Sequence, residues 1–336
     1  MTTAELPAGA GVRSKASWRG LVLASLLATL GHPRWWAIAL AAFFVRGGVI
    51  VVLLPIVAAP SVATLTGMLS PIVTPVLLGG NLATVLPLVI AASIAFVVWV
   101  VVGGWLGAWF DTALAAEAAA DEDLDLSVSV AGRPSSTAVT ARVVPHLVTL
   151  VAAAIGALKL ISATYGELLS PSEPAVPLAI RIVRAAPESL ILLAGAWLLA
   201  EAVGSLAHRH VVMSRSSRPQ PGAWRAIRDA LDAVTRPRGF ATLVLGHLIV
   251  IAAIVPGWVA AARAWSGIRV FLADGALPGE LAAALGLLVG SWLGGLCLLG
   301  VALAWRATLW SGEAARGHPG GLIVTQTAHR ASEPTR

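Results

Sequence analysis

Six long runs of nearly uninterrupted apolar residues dominate the chain, at 36–59, 83–109, 143–168, 188–207, 239–262 and 281–305, each bounded by polar or proline-containing connections. A bilayer core takes about 20 consecutive apolar residues per helix, so each run predicts a transmembrane helix. Between the fourth and fifth runs the period changes. Trp224, Ile227, Leu231 and Val234 fall on one face at helical spacing, with Arg225, Arg228, Asp229 and Asp232 on the other. A segment so short and polarised predicts a helix lying in the interface, with its apolar face in the acyl boundary, and Pro237 discourages its continuation.

The amino-terminal region follows the same plan. Trp18-Arg19 opens a stretch containing Leu23, Leu26, Leu27 and Leu30, and His32-Pro33-Arg34 precedes the first span. Each copy then continues as a hairpin whose second helix is rich in glycine and tryptophan, with Gly103, Gly104, Trp105 and Trp109 in one and Trp292, Gly294, Gly295 and Trp305 in the other. The expected fold is an all-α integral membrane protein of about six transmembrane helices in hairpin repeats, with inner interfacial amphipathic helices. It divides into a tail and interfacial helix (1–35), a transmembrane domain (36–305, with inner loops 110–142 and 208–238) and a carboxy-terminal tail (306–336).

This alternation of interfacial helix and hairpin resembles the membrane domain attached to some bacterial glycerophosphodiester phosphodiesterases and related multi-pass bacterial membrane families. The resemblance is one of architecture over most of the chain. It implies a membrane-embedded domain without the phosphodiesterase catalytic unit, for which there is no room here, and it carries no site residues over.

Composition agrees with a lipid solvent. Hydrophobic residues make up 57% of the 336, and charged residues 12%, about half the share of a soluble domain. Seventeen of the 23 basic residues fall in the segments that are inner if the amino terminus is inside, and only Arg181, Arg184, Arg263 and Arg269 in the outer ones. Positive loops resist translocation, so both ends are expected in the cytoplasm of a bacterial cell membrane. The inner arginines are expected to face anionic lipid rather than nucleic acid. Tryptophan marks the same boundaries. Trp35, Trp36, Trp105, Trp109, Trp305 and Trp310 are expected at the inner interface, Trp258 and Trp265 at the outer, and Trp99, Trp197 and Trp292 in packing.

Ionisable groups within spans are the sharpest candidates for function, because each costs a few kcal/mol or more at the bilayer centre unless paired or hydrated. Arg46 in the first span, Glu201 in the fourth and His247 in the fifth lie at comparable depth, and predict a polar centre in the inner half of the bundle. Such a centre either binds an anion or relays protons, or is an ion pair that specifies the fold. Lys159 is expected to pair with Glu167 or Glu188, or to snorkel outward.

The remaining features favour structural roles. Asp111, Glu117, Asp121, Glu122, Asp123 and Asp125 lack the spacing of a calcium loop and predict a solvated helix extension. His208 and His210 are expected in a loop, and Gly286, Gly290 and Gly294 as a close intrachain packing face. The uncharged Pro60–Asn81 segment is expected to lie on the headgroups, with a re-entrant loop as the alternative. The single cysteine, Cys297, excludes an intramolecular disulfide. No phosphate-cradling loop, nucleophile elbow or metalloprotease motif occurs, and no metal, cofactor or enzymatic activity is expected. A membrane scaffold or accessory subunit is the preferred reading, which entails a dry, tightly packed bundle. The alternative is a small transporter or permease subunit, which entails a cavity reaching the polar centre.

Overall fold

Proline sets where the helices begin. In the computed structural model, which describes residues 17–49, 51–53, 82–121, 124, 130, 133–173, 176, 178–213, 221–274 and 278–316, four helices open on a proline, α2 (Pro33–Phe43), α7 (Pro187–Met213), α9 (Pro237–Asp274) and α10 (Pro278–Arg316). At that position the missing N–H has no intrahelical partner to lose and φ is already helical. Two shorter helices start on serine. The Ser17 Oγ accepts from the Gly20 N–H at the start of α1 (Trp18–Gly31), and the Ser135 Oγ accepts from the Ala138 N–H at the start of α4 (Ser136–Val143). The others are α3 (Leu82–Ala120), α5 (His146–Leu169), α6 (Leu178–Ala185) and α8 (Ala223–Thr235). No strand occurs among the described residues.

Among the described residues five segments are long and apolar enough to cross a bilayer, Ser93–Ala120, Ser136–Leu169, Pro187–Met213, Pro237–Phe271 and Pro278–Ala315. The first predicted span is shorter as described. It runs through α2 into a π-helical turn, Phe44–Gly48, and residues 54–59 lie outside the described residues, as does Pro60–Asn81. Alternate helices run in opposite directions, so α1, α4, α8 and the ends of α3, α7 and α10 gather at one end, here the capped end.

Solvent logic is inverted relative to a soluble protein. Leu158, Ile191 and Leu287 are 72%, 71% and 66% exposed, whereas Arg142 and Arg209 are each 1% exposed. Side chains that face lipid gain nothing by hiding, while charges must find partners inside. α1 illustrates the point. It turns Leu23, Leu27 and Leu30 outward and packs Ser25 and Thr29 against α10, where the Thr29 and Thr308 hydroxyls meet at 3.1 Å. The chain is an all-α, multi-pass membrane protein.

The helices run past the predicted span edges, and this changes what lies at the capped end. α3, α9 and α10 have 39, 38 and 39 residues, each close to 60 Å at helical rise, roughly twice a bilayer core. α3 therefore occupies the start of the predicted inner loop 110–142, α7 continues to Met213 inside 208–238, and α10 carries the predicted tail as far as Arg316. Every α7 residue from Ala200 to Met213 is buried. The extended α7 gives α8 a protein surface to pack on. Ile227 and Val234, expected to enter the acyl boundary, join Ala226 and Ala230 against Val211, Val212 and Met213, which leaves Trp224 and Leu231 exposed.

Two other expectations are corrected. A Cβ added at Gly286, Gly290 or Gly294 would meet no atom within 4 Å, so their face of α10 makes no close intrachain contact. The tight α9–α10 approach falls instead at Gly257 and Gly295, where a Cβ on either would stand 3.1–3.2 Å from the other's Cα. Trp35 and Trp310, expected in the interfacial belt, are 1% and 2% exposed and pack in the core, while Trp105 and Trp109 remain exposed.

Candidate functional site

Four helices and a turn bring two carboxylates and three arginines together. Asp111 comes from α3, Arg142 from α4, Glu201 from α7 and Arg306 from α10, and Arg46 comes from the π-turn that follows α2. Arg142 bridges both acids, its Nε donating to Asp111 Oδ2 at 2.9 Å and its Nη2 to Glu201 Oε2 at 2.7 Å. Arg46 does the same from the other side, its Nη1 lying 3.3 Å from Asp111 Oδ2 and 3.0 Å from Glu201 Oε1. The result is a closed ring of two guanidiniums and two carboxylates. Arg306 adds a longer contact to Glu201 Oε1, 3.5 Å, and its guanidinium sits over the Trp310 ring at 5.1 Å.

The backbone is shaped to admit these side chains. Gly47, at φ 98°, takes a conformation that glycine alone adopts freely, and it turns the chain just after Arg46. The Trp99 Nε1 donates to the Val45 carbonyl at 3.2 Å, and the Trp258 Nε1 to the Val51 carbonyl at 2.7 Å, so two indoles serve carbonyls on either side of the break. Each arginine also lies against a glycine on a neighbouring helix. A Cβ at Gly107 would stand 2.9 Å from the Arg46 Cδ, at Gly204 2.7 Å from the Arg142 carbonyl oxygen, and at Gly246 3.0 Å from the Arg306 Cγ.

A second polar layer lies deeper toward the capped end. Arg209, wholly buried, donates from Nε to the Ser311 Oγ at 3.0 Å and from Nη1 to the Ser205 carbonyl at 3.1 Å. His208 stands between the Thr112 Oγ1 at 3.0 Å and the Ala138 carbonyl at 3.2 Å. On the cavity side of the ring, by contrast, His146 contacts the Arg142 carbonyl through Nδ1 at 3.1 Å and places Nε2 3.5 Å from Glu201.

Above the ring is a cavity of about 280 Å³. Arg46, Arg142, His146, Glu201 and Arg306 form its charged end. The rest of its wall is mostly apolar, from Phe43 on α2, Phe96, Trp99 and Val100 on α3, Leu150 on α5 and Trp197 on α7. Among the described residues the charges do not balance: Arg46, Arg142 and Arg306 bring three positive charges to the ring against two negative ones from Asp111 and Glu201, and buried Arg209 adds a fourth in the layer below. An uncompensated charge in a low-dielectric interior is costly, and the arginines that line the cavity present the surplus to it.

The three candidates from the sequence divide. Arg46 and Glu201 meet as expected, at 3.0 Å. His247 is buried nearby but contacts neither; its Nε2 lies 3.2 Å from the Leu198 carbonyl, and its ring packs on Trp310 with centroids 5.6 Å apart. Asp111, expected on a solvated extension, is 3% exposed and sits at the heart of the ring. Arg142, Arg209 and Arg306, counted among inner loop or tail charges, are buried, and His208 and His210 belong to helix α7 rather than a loop. Hydropathy averaging hid the ring because Asp111, Arg142 and Arg306 fall one or two residues outside the predicted spans, where a charge reads as solvated.

Other charged groups pair at the margins. Of its two candidate partners Lys159 meets Glu188, at 3.3 Å between exposed side chains, while Arg181 takes Glu167 at 2.8 Å. Glu117 pairs with Arg34 at 3.2 Å, and Glu122, Asp123 and Asp125 lie outside the described residues. Among the described residues no cluster of histidine, cysteine and carboxylates is arranged to hold a metal.

Fold and centre together define a class, a helical multi-pass membrane protein with a guanidinium–carboxylate ring beneath an intramembrane cavity. Compared with known proteins, the chain matches no family model, no curated protein and no solved structure.

Proposed function

We propose that this protein is a small transporter or permease subunit that takes an anion at the charged end of the cavity, formed by Arg46, Arg142, Glu201 and Arg306. One observation carries the reading, the cavity lined by three arginines in a region where the described residues hold more positive than negative charge. A scaffold requires no such space. A bundle built only for packing would balance its charges and close over them, because each buried surplus charge lowers stability. An anion occupying the cavity supplies the missing negative charge and makes charge-assisted hydrogen bonds to guanidiniums already oriented by Asp111 and Glu201. The arrangement suits recognition and release of an anion.

The arginine asymmetry of the chain supports an orientation with both termini in the cytoplasm of a bacterial cell membrane, which puts the capped end and the ring toward the cytoplasmic side. There Arg225, Arg228, Arg236 and Arg238 are exposed and suit anionic headgroups.

The test is the thermal stability of the purified full chain against a panel of sodium salts, inorganic phosphate, sulfate, acetate and alkyl phosphates. At least one anion should raise the midpoint saturably, and Arg142→Gln should lose that response while Arg263→Gln keeps it. A wild-type protein indifferent to every anion in the panel returns the ring to a purely structural ion-pair cluster and the protein to the scaffold reading.

A further inference from the structure

The cavity has two chemically different ends, and that division narrows the ligand. Resting on the anion-site reading above, we infer that the ligand is an anionic amphiphile with a single chain, whose head sits on Arg46, Arg142 and Arg306 and whose tail leaves sideways into the bilayer between α3 and α5. A small inorganic anion needs only the arginine end. Here Phe96, Trp99, Val100, Leu150 and Trp197 extend the space away from the charges with a mostly apolar wall suited to a hydrocarbon chain, the Thr149 hydroxyl there donating to the Ala196 carbonyl at 3.4 Å.

Volume and openness point the same way. The cavity, about 280 Å³, has room for a phosphate or carboxylate head and the start of a hydrocarbon chain. A whole lipid does not fit inside a space of this size, and a single chain leaving by one opening is the occupant that matches it. The remainder of a chain must leave, and the structure provides the exit. α3 and α5 both line the cavity yet face each other across it without packing closely. Phe96 and Trp197 line the cavity, are 42% and 39% exposed, and lie in the membrane-spanning stretches of α3 and α7, which puts the proposed exit at the level of the apolar belt. The neighbouring Val97, Val98, Leu147 and Val151 are exposed as well, which gives the opening a hydrocarbon-compatible rim.

The experiment uses the full chain in nanodiscs with a sixteen-carbon fatty acid bearing a mid-chain diazirine, irradiated and mapped by peptide mass. Expected are saturable adducts on α3 around Phe96–Val100 and on α5 around Leu150, competed by dodecyl phosphate and not by dodecanol. Inorganic phosphate should compete at least tenfold less well than dodecyl phosphate. Leu150→Trp, which fills the apolar end and leaves the arginines alone, should cut labelling at least tenfold while keeping the stabilisation by short anions found above. Saturable binding of phosphate with no advantage for the alkyl ester overturns the amphiphile and leaves the anion site standing. Absence of both saturable labelling and any response to anions overturns the two together. Labelling competed equally by dodecanol overturns the assignment of the head to the arginines.

Discussion

Replacing Glu201 by glutamine removes one charge and keeps the shape, and it falls at the most connected point of the ring. The carboxylate lies 2.7 Å from Arg142, 3.0 Å from Arg46 and 3.5 Å from both Arg306 and His146. Each unit pair at about 4 Å is worth roughly 4 kcal/mol at an effective dielectric of 20. Desolvation and relaxation return most of that, so the net cost of breaking a buried pair is about 3–5 kcal/mol. At roughly 2–3 °C per kcal/mol for a chain of this size, E201Q should melt about 6–15 °C below the wild type in detergent. Glu188, paired with Lys159 at 3.3 Å but 57% exposed, is the control, and E188Q should melt within about 2 °C of the wild type because water and salt screen an exposed pair. Scanning fluorimetry of both variants at matched detergent and salt reads the difference. The reasoning is refuted if E201Q melts within about 2 °C of E188Q, since the ring would then bear no net electrostatic load.

Three further outcomes follow from the same geometry. Arg46→Ala should destabilise the folded protein by about 3–5 kcal/mol and the exposed Arg263→Ala by about 0.5 kcal/mol or less, measured as unfolding in a denaturing-detergent titration; equal values would remove Arg46 from the buried network. Gly204→Ala, whose methyl would stand 2.7 Å from the Arg142 carbonyl oxygen, should cost about 1–3 kcal/mol, whereas Gly286→Ala meets nothing within 4 Å and should be neutral or gain up to about 1 kcal/mol of helix propensity. Adding Arg306→Met to E201Q should cost less than the two changes apart, by a coupling of about 1–3 kcal/mol in a double-mutant cycle, because losing one cation partly restores the balance that losing the anion upset; strict additivity would show that Arg306 and Glu201 do not sense each other.

The transmembrane architecture was legible because it depends on run length, and five of the six apolar runs became helices long enough to span. Proline junctions were equally plain, with Pro33 and Pro237 opening α2 and α9. Half of the ring was also within reach. An arginine and a glutamate placed at similar depth in apolar runs have few ways to be stable other than meeting, and Arg46 and Glu201 do meet. The other half was hidden by a rule that works on average. Arg142 and Arg306 stand at the last residue of a predicted loop and the first of the predicted tail, and Asp111 opens what looks like a solvated acidic run. Only the extra length of α3, α7 and α10, wrapped by α4 and α8, turns those edge positions into interior ones, and helix length past an apolar run is weakly encoded by alanine-rich sequence. Removing the buried Arg142, Arg209 and Arg306 from the seventeen inner charges leaves fourteen against four, so the orientation argument survives the correction.

α8 taught a similar lesson. Its pattern fits an amphipathic helix on lipid, yet an apolar stripe says only that something apolar covers it. Here the cover for Ile227 and Val234 is the end of α7, and Trp224 and Leu231 are left for the surroundings.

The central claim is that the surplus of positive charge at the ring is met by a bound anion. Native mass spectrometry of the full chain released from mild detergent measures this most directly, by weighing what stays attached. The account predicts a single anionic adduct of small-amphiphile mass on the wild type, reduced at least tenfold in Arg142→Gln and unchanged in Arg263→Gln. A wild-type spectrum that carries no anionic adduct, and acquires none when dodecyl phosphate is supplied, would contradict it.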